Sequence, residues 1–334
     1  MTQLKNTKKY NMLSKNEWDP LQSVIVGIAD DAKIPKLDTS LRCVNYADNQ
    51  STIQVGNYPQ QVIDEANEDL TGLVKFLEGE NVTVHRPDKK IVPEYYNYCP
   101  RDTVLVHDDL ILTTPNPLRA RQIEHLAMLE TLKEHSRVIT KLHSGHESLY
   151  NTNCVGNPDI LALNETEPAF DAANILRSND DLFYLVSNSG NKMGAKYLQE
   201  LCPDKKVHTI EGVYSYMHLD STIALLREGL MLLNPARIKS IDQLPKPLQS
   251  WDVIWAPEPV DIGHYPGYCN ASTWVSINLF SVNPNLVIVE EHQNNLRKEL
   301  EKYNIECAML PMRHARTLGG CFHCVTLDII RNHT

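Results

Sequence analysis

A pair of short apolar runs flanking a helical stretch recurs five times along this chain, and no single motif limits its folds as strongly. The first runs are Val24–Ala29, Leu110–Pro115, Leu182–Ser187, Leu230–Pro235 and Leu286–Glu291. The second are Val82–Pro87, Arg137–Leu142, Val207–Gly212, Val253–Glu258 and Glu306–Pro311. Short apolar runs bounded by turn-forming residues read as strands. Between them lie helix candidates such as Gln61–Glu78 and His292–Tyr303. In the latter, Leu296 and Leu300 stand one turn apart among polar residues, the pattern of an amphipathic surface helix. The helix of the fourth pair is the weakest, because Pro245 and Pro247 interrupt its end.

Each first run follows another short apolar run across a tight polar turn. Thr103–Val106 precedes Leu110 across His107-Asp108-Asp109, and Ser221–Leu226 precedes Leu230 across Arg227-Glu228-Gly229. Such pairs read as hairpins, so the unit is strand, strand, helix, strand. The last strand, Cys324–Ile329, has no partner after it and the first, Ser23–Ala29, none before it; pairing the two closes a ring. Repetition at this scale predicts units set around an axis. The competing architecture is a conventional α/β domain with a mixed sheet, but no GxGxxG or P-loop supports a nucleotide-binding form of it. No linker or low-complexity segment divides the chain. It reads as a flexible tail over 1–15 and a single domain over 16–334, with the polar stretch Pro35–Pro59 as a mobile or lid-like loop.

The 334 residues are 42% hydrophobic and 22% charged, enough for a large core. A net charge of -10 argues against a nucleic-acid partner, because phosphate binding needs a basic face. No apolar stretch is long enough to span a bilayer. The first 15 residues have neither the apolar segment of a secretory signal nor the arginine richness of a mitochondrial presequence. Eight cysteines without a signal peptide read as reduced, cytoplasmic thiols rather than a disulfide framework.

The residues that open each hairpin are the candidates to carry chemistry. They are Pro100-Arg101-Asp102, Phe170-Asp171-Ala172, Met217-His218-Leu219-Asp220, Ala271-Ser272-Thr273 and, at the chain end, Gly319-Gly320-Cys321-Phe322-His323-Cys324. If the units ring an axis, these points meet at one mouth. Cys324 is the candidate nucleophile and needs a lowered pKa or a nearby base. His218 can move that proton. A lone Cys or His is more often structural; the matched positions in the repeat tip the balance to catalysis. Gly319-Gly320 permits positive φ or close backbone approach. Cys321 and Cys324 also have the CxxC spacing of zinc or redox sites, but no second ligand pair exists and no helix follows. Asp102 and Asp220 suit a planar cation such as a guanidinium, or are plain turn aspartates. Arg237 reads equally as a holder of a substrate carboxylate or as a solvated arginine at a helix start, and Arg119 and Arg121 as surface residues.

These residues resemble the amidinotransferase family, which includes glycine amidinotransferase and inosamine-phosphate amidinotransferases. The likeness runs from about Asn16 to Arg331. It covers Asn16-Glu17-Trp18-Asp19-Pro20-Leu21, Pro100-Arg101-Asp102, Glu167 to Ala173, Met217 to Thr222, Asn234-Pro235-Ala236-Arg237, Arg313-His314-Ala315 and Leu318 to Cys324. The resemblance implies a five-bladed α/β propeller of ββαβ units with pseudo-fivefold symmetry. It implies Cys324 as nucleophile, His218 as general acid/base and Asp171 as the partner orienting His218. Asp102 and Asp220 would hold the guanidinium of arginine, and Arg237 and Ser272 its amino-acid end. Met217, beside the base, is placed to limit the acceptor. The chain departs from the family at Asn174, where a second acid is expected, at Ala271 in place of a serine, and at Cys321 in place of a glycine.

The implied reaction moves the amidino group of L-arginine onto Cys324, releases ornithine, and passes the group to an acceptor amine with ping-pong kinetics. No metal or organic cofactor is required, no membrane is involved, and homodimers are common in the family. Two competing readings are an arginine deiminase that yields citrulline, and a non-catalytic arginine-binding module whose Cys324 lacks unusual reactivity towards iodoacetamide at neutral pH.

Overall fold

The computed structural model describes residues 13–48 and 53–333. Strand β1 (Leu21–Val26) is followed by a small two-stranded pairing of β2 (Lys33–Ile34) with β3 (Gly56–Asn57), which encloses helix α1 (Thr39–Val44). Helix α2 (Gln60–Gly79) and β4 (Thr83–His85) complete this unit. The second unit is β5 (Val104–His107), β6 (Leu110–Thr113), α3 (Leu129–His135) and β7 (Val138–Thr140). The third is β8 (Ile175–Ser178), β9 (Asp181–Leu185), α4 (Lys192–Leu201) and β10 (Lys206–Ile210). The fourth has β11 (Ile223–Arg227), β12 (Leu230–Leu233) and β13 (Asp252–Trp255). The fifth has β14 (Phe280–Asn283), β15 (Leu286–Glu290), α5 (Asn294–Glu301) and β16 (Glu306–Leu310). Helix α6 (Ala315–Leu318) and β17 (Thr326–Arg331) follow.

In units two to five the first two strands pair antiparallel and the third joins the second in parallel. The first unit lacks its own leading strand, and β17 supplies it. Val26 faces Thr326 and Leu21 faces Arg331 in an antiparallel pair, with β4 parallel on the other side of β1. The first and last strands therefore pair, as the sequence leads one to expect. The second strands are buried on both faces, so they read as unbroken apolar runs rather than alternating ones; Leu230–Leu233 is buried throughout.

The helices cover the sheets with one apolar stripe each. In α2 the stripe is Val62, Ala66, Leu70, Leu73 and Leu77; in α5 it is Leu296 and Leu300. The fourth unit has no α-helix at this place. Two single turns of 3-10 helix, Ile241–Gln243 and Lys246–Leu248, stand there, since Pro245 and Pro247 withhold the amide donors a longer helix needs.

Most of the expected tail, residues 1–12, lies outside the described residues. Leu13 and Ser14 are buried, and the Ser14 amide donates to the Ile329 carbonyl at 3.0 Å, so ordered packing begins before residue 16. The stretch Pro35–Pro59 is not wholly irregular: α1 forms in it, capped by the Asp38 carboxylate on the Leu41 amide at 2.9 Å. No helix among the described residues is long and apolar enough to cross a membrane. All eight cysteines are unpaired.

One turn of 3-10 helix precedes the leading strand of each of units two to five: Pro100–Asp102, Ala172–Asn174, Leu219–Ser221 and Thr273–Ile277. Each packs on the next, and the first also packs on β17. Beneath them a cluster of buried charges ties the units together. Arg177 Nη2 lies 2.7 Å from Glu17 Oε2 and 2.8 Å from Asp328 Oδ1; Arg101 and Arg331 also reach Asp328, at 2.7 and 2.5 Å. Buried charges survive only when paired in this way.

Candidate active site

The turns and the Gly319–Cys324 segment open onto a cavity of about 510 Å³. Asp102, Met217, His218, Asp220, Arg237, Ser272 and Cys324 all line it. Asp171 stands immediately behind, with Oδ2 2.7 Å from His218 Nε2. The eight residues singled out in the sequence thus belong to one site, although they come from six separate segments.

His218 is the hub. Its Nδ1 lies 3.7 Å from Asp102 Oδ1 while Nε2 faces Asp171. Burial alone would discharge the ring, but the Asp102 charge and the hydrogen bonds with Asp171 and Cys324 outweigh it and hold its pKa well above the ordinary histidine range. Burial pushes the Asp171 carboxyl up, against the pull of His218 and Arg121. Asp171 is gripped from behind by the Asn116 amide.

The Cys324 thiol donates to Asp220 Oδ2 at 3.3 Å, and its backbone amide donates to Asn278 Oδ1 at 3.0 Å. The neighbouring Cys99 thiol, burial and the Asp220 charge push the Cys324 pKa well above its ordinary value; the His218 contact opposes them. These shifts favour the protonated forms of both the Cys324 thiol and the His218 ring in the free protein. Burial would also raise Asp220, but the His323 hydrogen bond and charge win and bring its carboxyl down to about 2.

Gly319 ends α6 at φ +85, in the left-handed region that glycine favours. Gly320 lies against the thiols: a Cβ there would sit 2.5 Å from Cys99 Sγ and 2.8 Å from Cys324 Cβ. Both glycine properties anticipated for the pair are used, one at each residue.

Arg121 is not a surface residue. It is buried, with Nη1 2.7 Å from Asp102 Oδ2 and Nε 2.9 Å from Glu124 Oε2, and its guanidinium lies over the Tyr96 ring. Asp102 thus has one oxygen fixed by Arg121, while Oδ1 is buried without a hydrogen-bond partner, 3.7 Å from His218 Nδ1. An unpaired buried carboxylate oxygen costs free energy unless a ligand donor meets it. Arg119 is partly exposed and pairs with Asp38 and Glu147. Arg237 is half-buried, not solvated: Nη1 donates to the Ser221 carbonyl and hydroxyl and to Thr222 Oγ1, and the guanidinium stacks 3.5 Å from the Tyr214 ring centroid.

Asn174, a departure from the family pattern, donates to the Leu185 carbonyl and Ser187 Oγ, both at 3.2 Å, and accepts from Ser189. An ionised acid there could not donate to the carbonyl. Residues missed in the sequence are Asn116, Arg121, Asn278 and His323. Asn116 had a signal: it follows the second hairpin strand just before a proline, as Asn234 does in the fourth unit. Among the described residues one group, Glu290, Glu291 and His292, has metal-ligand spacing; none of the three lines the cavity.

No protein-family model matches the chain. It is 40% identical over 336 residues to inosamine-phosphate amidinotransferase 1 of Streptomyces glaucescens, covering 95% of each chain. It is 31% identical over 343 residues to the L-arginine:L-lysine amidinotransferase of Pseudomonas savastanoi pv. phaseolicola, covering 95% of this chain and 94% of that one. The solved inosamine-phosphate amidinotransferase of Streptomyces griseus superposes with a TM-score of 0.92 at 38% identity, over 98% of both chains. A dimethylarginine dimethylaminohydrolase shares the fold at 15% identity and a TM-score of 0.61, over 92% of this chain and 99% of that one. The chain belongs to the amidinotransferase family.

Proposed function

We propose that the protein takes the amidino group from L-arginine onto Cys324, releases ornithine, and passes the group to an acceptor amine. The observation that carries this reading is the single cavity in which the Cys324 thiol, the His218–Asp171 pair and the carboxylates Asp102 and Asp220 meet. The guanidinium of arginine lies between the two carboxylates, where Asp102 Oδ1 has no hydrogen-bond partner. Its positive charge offsets the field that holds the thiol neutral, so Cys324 releases its proton to solvent in the cavity as the donor binds. The sulfur attacks the guanidino carbon. His218, already protonated, gives its proton to the departing amine and later takes one from the acceptor. Arg237 and Ser272 hold the amino-acid end of the donor. The protonated thiol of the free protein also changes one discriminating test: low iodoacetamide reactivity at neutral pH fits the enzyme as well as a binding module.

The cavity wall carries Tyr46, Tyr214 and Tyr216 with the amides of Asn45 and Asn270, and no described acid lines it besides Asp102 and Asp220. This favours a hydroxyl-rich or anionic acceptor, such as an inosamine phosphate, over lysine, whose second ammonium group would need a carboxylate. We further read the five sheets as blades around a pseudo-fivefold axis within one domain over 16–334, supported by the β1–β17 pairing and the successive packing of the turns. Eight unpaired thiols support a cytoplasmic setting.

The test is product analysis of arginine with an inosamine phosphate, lysine or glycine. Ornithine and a new guanidino compound are expected. Citrulline, whatever amine is present, would assign the protein to hydrolysis instead.

A further inference from the structure

The Asn16-Glu17-Trp18 segment contributes nothing to the cavity wall, yet Glu17 reaches the chemistry through one imidazole ring. His323 Nδ1 lies 2.9 Å from Asp220 Oδ2, and its Nε2 lies 3.3 Å from Glu17 Oε2. All three residues are buried. Asp220 Oδ2 is also the oxygen that accepts from the Cys324 thiol. The ring thus bridges two carboxylates, one at each nitrogen.

We propose that Glu17 and His323 are positioning residues for amidino transfer: together they hold Asp220 as an aimed anion against Cys324 and the donor guanidinium. The inference rests on the reading of Asp220 as a guanidinium ligand.

The surroundings make this pair a directed device rather than an isolated contact. Glu17 is anchored by Arg177, at 2.8 Å to Oε1 and 2.7 Å to Oε2, with Arg101 4.0 Å away. Burial alone would raise the Glu17 carboxyl, and the charge and hydrogen bonds of Arg177 and His323 hold it well below its usual range. A chain of close polar contacts then runs from Arg177 through Glu17 and His323 to Asp220. On its other side Asp220 faces His218 and the Cys324 thiol, and its backbone carbonyl accepts from Asn278 at 3.3 Å. His323 is the first and largest of the groups that offset the burial of Asp220. Without that ring, burial is uncompensated and the carboxyl pKa rises. A protonated Asp220 has lost its charge attraction for a guanidinium. Arginine affinity should then fall as pH falls, which a ring that merely fills space would not produce.

The experiment measures arginine binding by calorimetry from pH 8 to pH 5.5, in the full chain carrying Cys324→Ala so that no turnover intervenes. His323→Gln and Glu17→Gln are added to that background, and thermal melts establish that each is folded. Near-constant affinity is expected with His323 and Glu17 intact. His323→Gln should weaken binding on acidification by about fivefold or more at pH 5.5, which requires the Asp220 carboxyl to rise by about four units, within the range of roughly three to five units that full burial can produce. Glu17→Gln should give a smaller change of the same sign. If either folded variant binds arginine with the same pH profile as its parent, the inference is overturned while the donor reading stands. If the parent itself binds no arginine at any pH, the donor reading falls and this inference with it.

Discussion

Cys324 keeps its proton in the free protein because Cys99, burial and Asp220 all act against the thiolate. Alkylation of Cys324 by iodoacetamide should therefore be slow at pH 7 and accelerate as pH rises past 9, followed by mass mapping of the modified peptide. Rapid alkylation at pH 7 with no ligand would contradict this picture of the site. On the proposed reading Arg121 is the other residue on which the donor site depends: it fixes one oxygen of Asp102, whose other oxygen has no hydrogen-bond partner. Arg121→Lys cannot bridge Asp102 and Glu124 with a planar fork. Steady-state kinetics should show KM for arginine rising by about tenfold, the scale of one charge-assisted contact, with a smaller change in kcat. The meeting of Cys324, His218, Asp102 and Asp220 at one cavity was legible in the sequence because each stands at the opening of a repeated hairpin. Arg121 was not. Nothing local in Leu118-Arg119-Ala120-Arg121 separates an exposed arginine from one paired with Asp102, nineteen positions away.

The single helical turns before each hairpin do what the longer elements cannot: they bring polar side chains to the site without lengthening a strand, with Asp102, His218, Asp220 and Ser272 at the cavity wall and Asp171 immediately behind it. The chain-end segment does so through Gly320, packed too tightly for any side chain. Gly320→Ala should lower kcat/KM by about a hundredfold, because displacements near 1 Å at a reacting group cost that much, with the circular dichroism spectrum unchanged. Gly72→Ala is the contrasting substitution. A Cβ at Gly72 in α2 meets nothing within 4 Å, and relief of glycine's entropy cost inside a helix should raise stability by about 0.5–1 kcal/mol in denaturant melts. The elements themselves were largely readable, since every pair of apolar runs forms strands close to the expected places. The missing helix of the fourth unit was signalled by its prolines, and α1 was hidden in a stretch whose composition resembles a loop.

At the scale of the whole molecule, the pairing of β1 with β17 and the buried charges around Asp328 join the two ends of the chain. The pairing was legible because each strand lacked a neighbour in sequence. The charge cluster was not, because partners such as Glu17 and His323 stand 306 positions apart and neither residue type marks burial. A second buried group bears on global stability. Both ring nitrogens of His107 in β5 are buried without partners, and burial with the nearby Arg177 and Lys205 charges brings its pKa down to about 4. The unfolded chain takes up that proton near pH 6.5, so the stability His107 preserves is complete above that value and is lost as pH falls towards 4. Between pH 7 and pH 4.5 this costs about 2–3 kcal/mol. His107→Phe should lose correspondingly less stability over that interval in urea titrations.

The central claim is that Cys324 carries the amidino group between donor and acceptor. Its most direct test is the intact mass of the protein after brief exposure to arginine alone, with peptide mapping of the adduct. The account predicts a gain equal to one amidino group, located on Cys324, discharged by a competent acceptor amine and absent from Cys324→Ala. Formation of the guanidino product with no such adduct, or an undiminished rate in Cys324→Ala, would contradict it.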